Sequence, residues 1–179
     1  MADHVAQSVL ARATCVRLMI FDVDGILTDG SLQYGADGEL VKRFNVLDGH
    51  GIKLLQQCGI ATAIISARSS AIVARRAADL GVAHVAQGVH DKRAAFEALC
   101  TATAIGMQAC GFLGDDWVDL PILTRVGFAA SVPAAHAEVR LRAHYVTQAA
   151  GGHGAAREVC DLILRAQGRY EAALAPYLA

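Results

Sequence analysis

Short apolar runs alternating with longer stretches of helical period constrain this chain more than any other feature. The runs fall at Arg17 to Phe21, Ala61 to Ile65, His84 to Ala86, Gly111 to Leu113, Gly127 to Ala130 and Tyr145 to Thr147. Helix-like segments lie between them, near Gly51 to Cys58, Ala71 to Leu80, Lys92 to Thr101, Val118 to Val126, Ala134 to Ala143 and Ala155 to Ala166. Gly59, Gly81 and Gly127 stand where helix ends favour glycine. Strands separated by helices are joined in parallel and must be covered on both faces. The order therefore predicts an α/β fold, a three-layer Rossmann-like parallel sheet with helices on both faces, as a single domain over residues 1 to 179.

One segment breaks the alternation. In "GSLQYGADGELVKRF", residues 30 to 44, two β-capable runs flank "GADG", and Asp-Gly between such runs reads as a β-hairpin inserted after the first strand. Residues 149 to 158, "AAGGHGAARE", read as a flexible Gly-rich lead into the last helix, which with the residues up to 179 forms a C-terminal tail. The spacing from Asp24 to Ser66 and from Ser66 to Lys92 leaves too little chain for a cap domain of ordinary size.

In an open parallel sheet ligands bind beyond the carboxyl ends of the strands. That rule selects Asp22 and Asp24 after "RLMIF", Ser66 after "TAII", Lys92 after "HVAQG", and Asp115, Asp116 and Asp119 in "GFLGDDWVDLP". Carboxylates gathered at one sheet end repel one another unless a hard cation sits among them, and Mg²⁺ takes oxygen ligands while keeping water for a substrate phosphate. Ser66 and Lys92 supply the hydroxyl and the point charge that phosphoryl oxygens need. With a phosphate there, Asp22 can attack phosphorus to form an aspartyl-phosphate, while Asp24 protonates the leaving alkoxide and later takes a proton from water. Each element also has a structural reading. Asp-X-Asp-Gly makes surface turns, Ser66 could cap the next helix, Lys92 could be a solvated helix residue, and the acidic run could cap a helix.

Composition narrows the partners. Sixteen basic and seventeen acidic side chains give a formal charge of -1, so no bulk field draws the chain to nucleic acid or to a membrane surface. The five cysteines are dispersed, with no CxxC pair, as reduced thiols of the cytoplasm would be, and the amino-terminal stretch lacks an export signal. The histidines, among them His50, His84 and His153, form no metal-spaced set; His84 reads as a core or edge residue. Trp117 reads as packing on the helix after Asp116.

The stretches "DVDGILTDG", "IISARSS", "HDKRAAFEAL" and "GFLGDDWVDLPIL" resemble, in order, the four motifs of the haloacid dehalogenase superfamily of phosphohydrolases. The resemblance implies Asp22 as nucleophile, Asp24 as acid and base, Ser66 and Lys92 as phosphate ligands, and a Mg²⁺ held by Asp22, Asp115 and the backbone carbonyl of Asp24. Asp116 and Asp119 would orient the metal ligands from behind.

A longer likeness, carried by "LTDGSLQYGADGELVKRFNVLDGHGIKLL" and "GGHGAAREVCDLILRAQG", is to the branch of that superfamily acting on phosphate esters of eight-carbon sugar acids, in lipopolysaccharide precursor synthesis. It implies substrate contacts from Asn45, Val46, Leu47, Asp48, Gly49, Lys53, Arg68 and Arg76. It also implies a homotetramer in which the hairpin and a neighbour's tail help to enclose the site. His153 stands where that branch is expected to carry arginine, so Arg157 becomes the tail residue offered to a neighbour, and Ala67 replaces a common glycine. The rival readings are a phosphatase of a nine-carbon sugar acid phosphate, a receiver-like phospho-acceptor that does not turn over, and a catalytically silent oligomerising partner.

Overall fold

The computed structural model describes residues 5–178. The chain enters through α1 (Gln7–Thr14) and β1 (Leu18–Phe21), then forms the hairpin of β2 (Gln33–Gly35) and β3 (Gly38–Val41). There follow α2 (Val46–Gln57), β4 (Ala61–Ile65), α3 (Ala71–Leu80), β5 (His84–Ala86), α4 (Lys92–Thr103) and β6 (Cys110–Leu113). The chain ends with α5 (Leu120–Leu123), β7 (Phe128–Ser131), α6 (Ala137–Arg142), β8 (Tyr145–Val146), α7 (Ala155–Ala166) and α8 (Tyr170–Leu174). Six strands pair in parallel in the order β5-β4-β1-β6-β7-β8.

β1, β6 and β7 are buried along their whole length, which is why their sequences run apolar without alternating. Phe21, Phe96, Phe112 and Phe128 fill the layers beside them. Helices α1, α2, α3 and α7 pack with one another on one face, and α4, α5 and α6 on the other, as right-handed crossovers from this strand order require. Among the described residues the hairpin is the one insertion between β1 and α2, so the sheet has no cap domain over it.

Several boundaries differ from the sequence reading for local reasons. Helix α2 begins at Val46 rather than near Gly51, because the Asn45 side chain accepts the Leu47 amide at 2.7 Å and caps it; the implied substrate residues 45 to 49 are therefore the cap and first turn of the helix. The helix expected over Val118 to Val126 is split into a 3₁₀ turn, Trp117–Asp119, and the short α5, since Asp116 and Asp119 close a capping box that tightens the start. The Gly-rich stretch is packed rather than flexible. Gly151 is buried, and a Cβ there would stand 2.5 Å from the carbonyl carbon of Gly25, while the Gly152 amide donates to the Ile26 carbonyl at 2.8 Å. Its small residues let the chain lie directly on the loop that follows β1. Helices α1 and α8 lie outside the segments read from periodicity.

Candidate active site

The chain leaves β1 toward β4, while β6 lies on the other side of β1, so the carboxyl end of β1 is the point where the winding reverses and a crevice opens. Asp22 is the first residue past β1, and its amide donates to the Leu113 carbonyl of β6 at 3.0 Å. Two residues beyond β6, Asp115 turns back over Gly25, which has φ +87. A Cβ on Gly25 would stand 2.8 Å from Asp115 Cγ and closer still to its Oδ2, so glycine is required both by the backbone and by the carboxylate above it.

Carboxylate oxygens of Asp22, Asp115 and Asp119 lie within 4.8 Å of one another. Lys92, the buried first residue of α4, divides its ammonium between Asp22 Oδ1 and Asp119 Oδ1, both at 2.6 Å. Burial alone would lower the Lys92 pKa, but the charges of Asp22 and Asp119 outweigh it and the net shift is upward. The other Asp119 oxygen accepts the amides of Asp115 at 2.9 Å and Asp116 at 3.2 Å. With both Asp119 oxygens occupied by the protein, Asp22 and Asp115 are the acids left to grip an ion.

Their electrostatics fit that role. Burial, then the Asp119 charge, raises the Asp22 carboxyl to about 7, with Asp115 adding to the rise and Lys92 opposing it. Burial, then Asp119 and Asp116, raises Asp115 to about 7 as well. One lysine does not neutralise this group of acids, and the all-oxygen donor set is that of a hard cation such as Mg²⁺.

Ser66 follows β4, the strand beside β1, and is buried. Its amide donates to the Ala86 carbonyl at 2.9 Å and its Oγ accepts the Arg68 amide at 3.3 Å. It does not cap α3, because Ser70 does, accepting the Val73 amide. Asp24 stands on the hairpin side of the crevice with its Oδ1 bonded to Lys42 and its Oδ2 3.6 Å from Arg68 Nε. Glu39 completes this group, 3.1 Å from the Lys42 ammonium and hydrogen-bonded to Ser70 Oγ. Neither Lys42 nor Glu39 was singled out by sequence. A lysine just past a strand reads as solvated, whereas this one is buried and paired with Asp24, eighteen positions away, and with Glu39.

The residues implied for the substrate divide into groups. Arg68 faces Asp24. Arg76 donates to the Asn45 carbonyl at 3.3 Å and so braces the start of α2, where Gly49 leaves room for the Arg76 guanidinium and for Leu80. Asp48 is buried, and its carboxylate accepts the amides of Gly154 at 3.3 Å and Arg157 at 2.8 Å, joining α2 to the start of α7. Val46, Leu47 and Lys53 are exposed on α2. Arg157, read as a tail residue reaching a neighbour, sits on α7. Its Nε donates to Asp161 at 2.8 Å and its Nη1 lies 3.3 Å from His50 Nδ1, so these bonds serve its own chain. His84 lies on the edge strand β5, and exposed Trp117 donates to His136 Nδ1 at 2.7 Å rather than packing on the helix.

Comparison with known proteins agrees with this geometry. The family description haloacid dehalogenase-like hydrolase matches residues 77–159. The 3-deoxy-D-manno-octulosonate 8-phosphate phosphatase of Escherichia coli K12 is 44% identical over 94% of this chain and 90% of its own. A probable phosphatase from Pseudomonas syringae superposes with a TM-score of 0.95 at 48% identity, covering 97% of this chain and 99% of that one. The 3-deoxy-D-manno-octulosonate 8-phosphate phosphatase of Moraxella catarrhalis, solved with magnesium ion, phosphate ion and KDO, superposes with a TM-score of 0.92 at 43% identity, over 94% and 97% of the two chains.

Proposed function

The chain belongs to the haloacid dehalogenase-like hydrolases, among the 3-deoxy-D-manno-octulosonate 8-phosphate phosphatases, and from that premise we propose that it is a Mg²⁺-dependent phosphomonoesterase releasing phosphate and the free sugar acid from that ester. The observation that carries the reading is the meeting of Asp22, Asp115 and Lys92 at the switch point of the sheet, with Asp24 two residues from the nucleophile.

Asp22 and Asp115, with the backbone carbonyl of Asp24, would hold the Mg²⁺, which when bound offsets the acidic charge and polarises a phosphoryl oxygen. Lys92 opposes the rise in the Asp22 pKa and holds the carboxylate in place, the metal and Lys92 together would keep Asp22 ionised, and Asp119 keeps Lys92 placed. Asp22 attacks phosphorus as the bond from phosphorus to the sugar oxygen breaks, and Asp24 gives that oxygen its proton. Water then attacks the aspartyl-phosphate, Asp24 takes a proton from it, and the bond from phosphorus to the Asp22 oxygen breaks. Ser66 donates to a phosphoryl oxygen throughout.

Assembly completes the site. The hairpin and the start of α2 leave Leu32, Tyr34, Leu40, Val41, Val46 and Leu47 exposed, an apolar surface suited to a homotetramer that would shield the open crevice. The cysteines are all free thiols, in keeping with a cytoplasmic enzyme of lipopolysaccharide precursor synthesis. Among the described residues no helix is long and apolar enough to cross a membrane.

Phosphate release from a panel of sugar phosphates, with Mg²⁺ and with chelator, tests the proposal. It predicts Mg²⁺-dependent turnover highest on the octulosonate ester. Preference for a nine-carbon acid ester would move the substrate, and a stable phosphoprotein without turnover would make the chain a phospho-acceptor.

A further inference from the structure

The hairpin delivers a charged side chain to the crevice that the reaction above leaves without a task. Lys42 lies one residue past β3, and its side chain is 1% exposed, with its ammonium taken up by two carboxylates. Its ammonium is bonded to Asp24 Oδ1 and lies 3.1 Å from Glu39 Oε1. Glu39 is anchored in turn, accepting a hydrogen bond from Ser70 Oγ at the cap of α3 and lying 3.9 Å from Arg68 Nη2. Arg68 Nη2 donates to Tyr34 on β2 at 2.6 Å. Arg68 Nε is buried without a hydrogen-bond partner among the described residues and stands 3.6 Å from Asp24 Oδ2.

The two Asp24 oxygens thus have different surroundings. Oδ1 is fixed by a buried ammonium, itself fixed by Glu39. Oδ2 has Arg68 Nε beside it at 3.6 Å, beyond hydrogen-bond range, and is the oxygen left free to carry a proton. A carboxyl group that must hand a proton to one departing oxygen gains from being held at its other oxygen, because an aspartate side chain otherwise samples several rotamers.

We propose that Lys42, anchored by Glu39, is a positioning residue for the proton donor Asp24, holding Oδ1 so that Oδ2 carries the proton toward the leaving alkoxide. The inference rests on the phosphatase reading and adds that the hairpin takes part in the chemistry through this contact.

The test compares kcat/KM on the sugar phosphate with kcat/KM on 4-nitrophenyl phosphate, whose leaving group departs without needing a proton. That parameter reports the steps up to expulsion of the leaving group and is blind to the later hydrolysis, in which Asp24 serves both substrates alike. Lys42→Met should change the ratio of the two values against the sugar phosphate by about tenfold or more, the direction expected of Asp24→Asn, and Lys42→Arg should recover part of it. An unchanged ratio, with both esters slowed equally or neither slowed, overturns the proposal. Should Lys42→Met fail to fold, Glu39→Gln reads the same link, with a ratio change of about threefold expected and none contradicting it. Wild-type protein inert on both esters would sink the phosphatase reading instead, which separates the two failures.

Discussion

The Asp115 carboxylate lies where a side chain on Gly25 would stand, and this contact ties the end of β6 to the loop after β1. Gly25 also has φ +87, a left-handed conformation that costs an ordinary residue about 1 kcal/mol or more. Gly25→Ala should therefore push Asp115 away from Asp22 and weaken the metal site more than the fold. Titration of Mg²⁺ against activity would show a much higher half-saturating concentration, with loss of thermal stability limited to about 1–3 kcal/mol. Unaltered Mg²⁺ dependence would contradict this role for the glycine.

Asp119 binds no substrate in this account, yet it secures both Lys92 and two loop amides. Asp119→Ala leaves a buried ammonium with half its partners and two amides unpaired, and should cost about 3–5 kcal/mol of stability. Asp119→Asn keeps an acceptor for the amides and should cost less while still lowering turnover. Chemical denaturation of both variants checks the order, and equal stability of wild type and Asp119→Ala would refute it.

Asp48 offers a sharper contrast between sequence and structure. Read by likeness it contacts the sugar, whereas its carboxylate holds the first amides of α7. Asp48→Ala should lower the melting temperature, as loss of a helix cap of about 1–2 kcal/mol would. A rise in KM with an unchanged melting temperature would contradict this structural role and favour a contact with the sugar.

The layers of the fold and the acids of the site were legible because each depends on a short-range pattern. The buried strands lack alternation, and Asp22, Ser66, Lys92 and Asp115 each fall beside the end of a strand or the start of a helix. What the sequence could not carry depends on contacts between distant segments. Gly151 and Gly152 look like a flexible link until the loop after β1 is laid against them. Lys42 looks solvated until Asp24 meets it, and Arg157 looks like a free tail residue until Asp161 and His50 flank it. Spacing along the chain reports strand ends well and cannot report which loop packs on which.

The raised carboxyls make a prediction about pH and metal together. Asp22 and Asp115 ionise near 3.8 when unfolded and at about 7 when folded. Between those values the folded state binds more protons, so without metal stability falls as pH rises through the window, and above about 7 the full penalty is present. Mg²⁺ relieves that penalty by binding the ionised pair. The rise in melting temperature on adding Mg²⁺ should therefore be larger at about pH 8 than at about pH 5, and a larger rise at the lower pH would contradict the assignment.

The most direct test of the central claim is to trap the enzyme during turnover of the octulosonate ester with Mg²⁺ and map the modified peptide by mass spectrometry. The account predicts a phosphoryl group on Asp22, absent with chelator and absent in Asp22→Asn, which should release no phosphate while keeping its fold. Phosphate release by Asp22→Asn at the wild-type rate, or a phosphoryl group found on another residue, would contradict it.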